Sequence, residues 1–319
     1  MSAPPTQLTI CGFWRRIVAL IIDCLVLGLF GEVLGLFFFD FLAHLGGWGR
    51  LIGFGLALGY FALLNSALGR GKTVGKRIMG IEVIDSAGRH ISVGRSFLRY
   101  LVLGVPFFLH GAILPLGVFQ SPVGYLIELI ALGGGGSIAY LYVFNRRTRQ
   151  SLHDLAVGTF VVRGSEPGAF SAGSIWRPHL VIAGVWCLAA VGISEAPRWL
   201  LKGSAFSDLI AVQEKLLSSG KVLRASATIG DSWSYRNGAA VKTSFFRSDA
   251  IWRERPGDYK AAAEEVASVI LANYPGIAKE DFLDVSISYG YDIGIARMWI
   301  RHDFRKSPGQ WANSQAGAN

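Results

Sequence analysis

The sequence predicts a membrane domain built only of helices, with four to five transmembrane helices, followed by a small soluble α+β domain with an antiparallel sheet. Three observations carry this prediction. Several apolar runs are long enough to cross a bilayer. Charged residues make up only 17% of the 319 residues, and the mean hydropathy is +0.40, whereas soluble proteins carry about 25% charged residues. The last third of the chain changes to amphipathic helices and alternating strands.

The first helix is predicted over about residues 13–39. From Ile17 to Phe39 only Asp23 and Glu32 are charged, and an acid inside a span marks a functional site or a buried ion pair. Arg16 and Asp23 are seven residues apart and share a face, about two turns apart. We therefore expect each to take a partner from another helix. Asp23 is either a structural hydrogen-bond centre or a titrating ion or proton site.

Three further spans are predicted, at about residues 51–68, 97–119 and 123–144. Pro106 and Pro115 should kink or break the third helix, and His110 between them is either a packing residue or a polar site. Glu128 lies near the start of the fourth helix. Four consecutive glycines, Gly133–Gly136, should permit close helix packing, a local bend or an unwound cavity wall.

The loop over residues 69–96 is basic and contains a short strand at about residues 81–85. Lys72, Lys76 and Arg77 predict contact with anionic lipid, and a solvated cytoplasmic loop is the alternative. The tripeptide that begins at Gly71 is similar to the tail of a phosphate-binding loop. The first glycine of that pattern is missing and no strand precedes it, so nucleotide binding is rejected.

The segment after the fourth helix holds three closely spaced arginines and then Ser151 and Asp154, which have the spacing of a helix cap. The apolar residues 155–162 are too short to span and are expected to lie along the interface. Basic loops on one side place the N-terminus inside and the C-terminal region outside. No cleavable signal peptide is evident, so we expect the first helix to be a retained signal anchor. The predicted divisions are a membrane domain 1–163, a linker 164–178, a fifth helix 179–196 and an extracytoplasmic domain 197–319.

The C-terminal region shows the order αββαββ, which is typical of helices packed on a sheet. No nucleophile–base set, carboxylate pair or metal-ligand spacing stands out, so we predict no enzyme, no metal and no cofactor. The net charge of +9 is concentrated between membrane segments, as the positive-inside rule expects, so nucleic acid is not a predicted partner. Three cysteines lie in or near apolar segments, and none lies in the C-terminal region.

Three motifs resemble the RDD family, which is named after an arginine and an aspartate of the first helix and a later aspartate. Arg16 and Asp23 match the first pair, residues 71–83 look like the family's basic loop, and residues 151–159 look like its closing segment, which makes Asp154 the second aspartate. The resemblance covers about residues 11–163. It implies a bacterial inner-membrane protein, and some members are linked to cation/proton exchange.

Two functions remain open from the sequence. One is cation/proton-coupled transport, in which Asp23 titrates with help from Glu32, His110 or Glu128. The other is a non-transporting platform that holds the outer domain near an envelope protein, with Arg16, Asp23 and Asp154 locking the helices together. Membrane lipids are the expected partners in both cases, and a transporter of four or five helices is expected to form a homodimer.

Overall fold

The structure is a computed structural model that describes residues 8–114, 116–119, 121–163, 173–200, 206–236 and 239–316. The expected kink at Pro115 and the linker residues 164–172 lie outside this described part. The chain divides into two compact units, one of apolar helices and one that contains a four-stranded sheet. The predicted fold class is confirmed, with the differences described below.

Two long apolar helices open the membrane domain. Helix α1 spans Phe13–His44 and leaves helical geometry at Phe38 (φ −125°, ψ 27°), and helix α2 spans Gly49–Leu64. At about 1.5 Å per residue, α1 is longer than the roughly 30 Å hydrocarbon core. Its outward side chains are apolar and exposed, as lipid contact requires, and they include Leu25, Leu29 and Leu36.

The middle of the domain alternates short and long helices. Helix α3 spans Val74–Met79, α4 spans Val93–Leu109 with Pro106 inside it, and α5 spans Leu116–Phe119. The third predicted span is therefore shorter than expected. The fourth is continuous, with α6 (Pro122–Glu128), a π-helical turn (Leu129–Gly134) and α7 (Gly135–Phe144).

Within the described residues, three helical segments are long and apolar enough to cross a membrane, namely Phe13–His44, Gly46–Leu64 and Pro122–Phe144. The predicted fifth helix corresponds to α9, Pro178–Leu200, whose described apolar part, Pro178–Gly192, is shorter. It packs against the glycine run, because a Cβ on Gly136 would lie 1.7 Å from the indole nitrogen of Trp186. The close packing expected of these glycines is thus confirmed.

A small sheet makes the membrane domain more than a helix bundle. Strands β1 (Thr9–Ile10), β2 (Ile81–Asp85) and β3 (Thr159–Arg163) form an antiparallel sheet with β3 in the centre. Helix α8 (Leu152–Val157) precedes β3. The predicted strand at residues 81–85 is confirmed. The segment at residues 155–162 ends α8 and forms most of β3, and its expected position along the membrane interface stays a prediction. Its β-branched and aromatic residues pair with a strand more than 70 positions earlier, an arrangement that local pattern does not reveal.

The C-terminal unit follows the predicted order of elements and adds one helix after the last strand. Its sheet has the order β4-β5-β6-β7. Strands β5 and β6 are parallel, so the sheet is mixed rather than purely antiparallel. The reason is the connection, because a helix between two neighbouring strands returns the chain to the same end of the sheet. The elements are α10 (Phe206–Ser218), β4 (Val222–Arg236), β5 (Ala239–Trp252), α11 (Tyr259–Asn273), β6 (Phe282–Asp292), β7 (Arg297–Lys306) and α12 (Pro308–Ala316).

The two faces of this sheet differ in chemistry. One face carries the apolar core with α10, α11 and α12, which includes the fully buried Phe246, Ile270 and Trp311. Trp311 Nε1 donates to the carbonyl oxygen of Leu283 at 2.9 Å. The sheet also carries a charged cross-strand ladder, in which Arg247 and Arg305 lie opposite Asp284 on the two flanking strands and hydrogen-bond to it at 3.2 and 2.6 Å. Its four strands therefore combine an apolar core with paired charges.

Candidate polar site of the membrane domain

A buried carboxylate, Asp154, links three helices of the membrane domain. It lies in the first turn of α8 and is fully buried. Its Oδ1 accepts hydrogen bonds from Arg99 Nη2 at 2.6 Å and Nε at 3.0 Å. Its Oδ2 accepts one from Arg16 Nη2 at 2.7 Å. Because Arg16 lies in the first turn of α1 and Arg99 in α4, this one side chain ties α8 to both helices.

The local sequence holds the Asp154 carboxylate in place. The backbone N–H of Ser151 donates to its Oδ2 at 3.2 Å, as expected for a helix cap. The hydroxyl group of Thr159 donates to its Oδ1 at 3.3 Å. Burial alone would raise the pKa of Asp154, but the positive charges of Arg99 and Arg16 outweigh burial and hold that pKa well below its usual range. Asp154 is therefore a fixed anion and not a group that exchanges protons near neutral pH.

His153 lies beside this cluster and is equally buried. Its Nε2 is 3.6 Å from Asp154 Oδ2, and its Nδ1 has no hydrogen-bond partner among the described residues. Burial lowers the pKa of His153 to about 3, against the pull of Asp154 and with the help of the neighbouring arginines. The imidazole is therefore neutral at physiological pH.

Asp23 forms a second cluster with different partners. Its Oδ1 accepts hydrogen bonds from the hydroxyl of Tyr60 at 2.7 Å and the backbone N–H of Gly75 at 2.8 Å. Its Oδ2 accepts one from the hydroxyl of Thr73 at 2.6 Å. Arg16 and Asp23 thus have separate partners on other elements, as the sequence predicts. Asp23 fastens the start of α3 to α1 and α2.

Gly75 explains how α3 can lie so close to α1. A Cβ at this position would lie 2.0 Å from the backbone carbonyl oxygen of Ala19, far inside van der Waals contact. Thr73 caps α3 by accepting the N–H of Lys76 at 3.3 Å while it donates to Asp23. The tripeptide at Gly71 is therefore part of a helix start that is anchored on a membrane-embedded carboxylate.

The basic loop is turned inward more than the sequence predicts. Lys76 Nζ donates to Asn65 Oδ1 at 2.8 Å, so the prediction that Lys76 faces lipid is wrong. Its aliphatic stem allows the ammonium to reach a polar partner beneath the loop. Burial and the charge of Arg99 lower the pKa of Lys76 to about 7. Lys72 is 3.3 Å from Glu82, and Arg77 remains exposed.

The other predicted polar-core residues lie apart from the two clusters. His110 is exposed just after α4, where its backbone carbonyl accepts a hydrogen bond from Arg50. Glu32 and Glu128 are partly buried. In the part of the chain that the structure describes, no hydrogen bond or ion pair joins any of these three to Asp23 or Asp154. One oxygen of Glu128, just before the π-helical turn, has no hydrogen-bond partner among the described residues.

A cavity of about 300 Å³ opens between the clusters. It is lined by apolar and tyrosine side chains, mainly from α1, α4 and α7, and by Arg16, Asp23, Lys76, Arg99 and His153. Two aspects of this site escape sequence reasoning. Arg99 appears in the sequence only as the start of a predicted helix, although an arginine within an apolar helix signals a buried partner. Tyr60 and Gly75 carry no local signal of their role.

No group of three or more histidine, cysteine, aspartate or glutamate side chains among the described residues is arranged to hold a metal ion. The contacts described at the polar site are ion pairs and hydrogen bonds. These contacts hold the helices together around a small, mostly apolar cavity, which is lined by more cationic than anionic side chains.

Comparisons with known proteins agree with the resemblance seen in the sequence. Residues 10–158 match the model of the RDD family. A stretch of 101 residues is 28% identical to the uncharacterized protein YckC of Bacillus subtilis (strain 168), and it covers 32% of this chain and 53% of that protein. The chain thus spans about half the length of this relative. No solved structure matches the chain significantly.

Proposed function

Because residues 10–158 form an RDD-family membrane domain, we propose that the protein is a non-catalytic membrane platform that presents its C-terminal α+β domain at the membrane surface. The observation that supports this is the complete engagement of both carboxylates. Asp154 is held by two arginines and Asp23 by three donors. An acid that carries ions or protons must release its partners in each cycle, whereas a structural lock keeps them.

The proposed location is the bacterial inner membrane, with the N-terminus in the cytoplasm and the C-terminal domain outside. The arginines in the first turn of α1 and those just after α7 support this orientation, since arginines favour the inner side. The proposed partner of the C-terminal domain is an envelope protein. Trp233 and Tyr235, near the end of the β4–β5 hairpin, are exposed by 65% and 84% and are suited to such a contact.

Ion-driven proton flux in everted membrane vesicles tests the proposal. The platform predicts that vesicles with the wild-type protein show no cation-dependent flux above vesicles without it. Asp23→Asn is the matched variant, because it keeps the shape of the side chain and removes its charge. Cation-dependent flux in the wild type that is lost in an equally abundant Asp23→Asn protein would overturn the platform.

Cation/proton-coupled transport by a homodimer is the second candidate. The observation that favours it is the cavity of about 300 Å³ that reaches Asp23 and Lys76, together with the pKa of Lys76 near 7. A lysine that loses its proton near neutral pH could couple proton release to ion entry. If transport occurs, Lys76→Gln should abolish the change in flux between pH 6 and 8, a range that brackets the pKa of about 7. The exposed Arg77→Gln serves as its control.

A further inference from the structure

A second cavity lies at the start of α1 and has a different lining. It measures about 630 Å³ and is bordered by residues 9–15, by Val143 and by Arg146, Arg149 and Arg163. With Arg15, four arginines surround it. Among the described residues that line it, none is a carboxylate. Neither Asp23 nor Asp154 lines this cavity, although it shares Phe13 and Val143 with the first one.

The four arginines differ from Arg16, their neighbour in sequence. Arg16 turns inward to Asp154 and donates to the backbone carbonyl of Arg149. Within the described residues, none of the side chains of Arg15, Arg146, Arg149 or Arg163 makes a hydrogen bond or an ion pair. Four unpaired cations around one cavity repel each other, and a bound anion would relieve that repulsion.

The helix start adds to the positive potential of this cavity. Helix α1 begins at Phe13, directly after Gly12, which has no side chain to cap it. The first turn contains no acidic residue. The free N–H groups and the helix dipole of this 32-residue helix therefore favour an anion at the same place.

The cavity also lies at a membrane boundary. Helix α1 starts there and the span Pro122–Phe144 ends there, so both spans meet water at this level. Trp14 lines the cavity and is 75% exposed, as is typical of aromatic residues at the interface. Val143 also lines the cavity and is exposed and apolar. The site thus combines cations with an apolar rim.

We propose that this cavity binds the phosphate headgroup of an anionic phospholipid, with its acyl chains along the apolar rim. Arginine guanidinium groups recognise phosphate oxygens through paired hydrogen bonds. A free phosphate ion is also negatively charged, but it has no apolar part that could contact Trp14 and Val143. The site differs from the basic loop at Lys72, whose ammonium is already paired with Glu82.

Quenching of tryptophan fluorescence tests this proposal on the full-length protein. The purified, delipidated protein in a neutral detergent is titrated with phosphatidylglycerol whose acyl chains carry bromine, which quenches nearby indoles. The part of the quenching that disappears in Trp14→Phe reports binding at the cavity. We expect saturable quenching of Trp14 by phosphatidylglycerol and much weaker quenching by equally brominated phosphatidylcholine.

Charge-matched variants separate the site from general attraction. Arg146→Gln with Arg163→Gln should weaken binding roughly tenfold or more, since each basic side chain near a lipid surface contributes substantially. Arg77→Gln with Arg147→Gln removes the same charge and should leave the affinity within about twofold, because neither side chain lines the cavity and both are exposed to screening by salt. Replacing Arg146 and Arg163 by lysine keeps the charge but loses the paired hydrogen bonds, so the affinity should fall between that of the wild type and that of the glutamine pair.

Three results would overturn the proposal. If both pairs of glutamine substitutions weaken lipid binding equally, the lipid is attracted by the overall positive charge and not by the cavity. Unchanged binding in the Arg146 and Arg163 pair, with normal elution in gel filtration, would mean that the cavity is not the site. Displacement of the lipid by millimolar inorganic phosphate would assign the cavity to a soluble anion instead.

Discussion

Neutralising Asp154 gives the sharpest test of the structural lock. Asp154→Asn leaves Arg16 and Arg99 buried without their anion, and all three side chains are at most 7% exposed. Removal of one partner from a buried ion pair costs about 3–5 kcal/mol, against a total stability of about 5–15 kcal/mol. A loss of that size lowers the melting temperature of a domain of 150–250 residues by about 6–20 °C.

The assay is thermal unfolding of the purified protein in detergent, followed by gel filtration of the fraction that remains folded. Asp231→Asn is the matched control, because its ion pair with Lys242 is exposed on both sides and should contribute less than about 1 kcal/mol. An apolar triple replacement, Asp154→Leu with Arg16→Met and Arg99→Met, removes all the buried charge and should recover most of the lost stability. A melting temperature of Asp154→Asn within about 2 °C of the wild type would refute the lock.

Three further predictions concern packing and pH. Gly75→Ala should lower the amount of folded protein in membranes, because the new Cβ would lie 2.0 Å from the α1 backbone. Fluorescence-detected gel filtration measures this amount. Gly80→Asn is the control, because Gly80 has a left-handed backbone conformation at the end of α3 that asparagine tolerates, and no atom lies within 4 Å of its Cβ position. Trp311→Ala should cost about 3–5 kcal/mol and speed proteolysis of the C-terminal domain, since Trp311 is fully buried. Burial would raise the pKa of Asp284, but hydrogen bonds from two arginines lower it. The ionised carboxylate therefore contributes its full stabilisation above about pH 4, and this stabilisation is lost at more acidic pH. In urea titrations, Asp284→Asn should reduce the decrease in the free energy of unfolding between about pH 4 and more acidic pH.

The sequence predicts the features that depend on local pattern. The apolar runs specify the long helices, because a span needs a long run of apolar residues. The spacing of Ser151 and Asp154 specifies a helix cap, because the cap is completed within four residues. The alternation at residues 81–85 specifies β2 for the same reason. Each of these elements is encoded by neighbours in sequence.

The features that escape prediction depend on distant partners. Strand β3 is short and apolar, and it becomes a strand because β1 and β2 lie on either side of it. The parallel pairing of β5 with β6 follows from where α11 returns the chain. Lys76 resembles a lipid-facing cation in the sequence, and only the position of Asn65 shows that it points inward. Such contacts join residues that are far apart in the sequence, so the local sequence pattern does not predict them.

The central position of β3 has a consequence for synthesis on the ribosome. Strands β1 and β2 precede β3 in the chain but pair only with it. Arg16 cannot form its ion pair until Asp154, which is 138 residues later, has been synthesised. At about 5–20 residues per second, that interval lasts roughly 7–28 s. The first three hydrophobic segments therefore enter the bilayer before the lock exists. Translation of residues 151–163 is the event that closes the domain, and a nascent chain that stalls before it exposes two unpaired arginines to quality control.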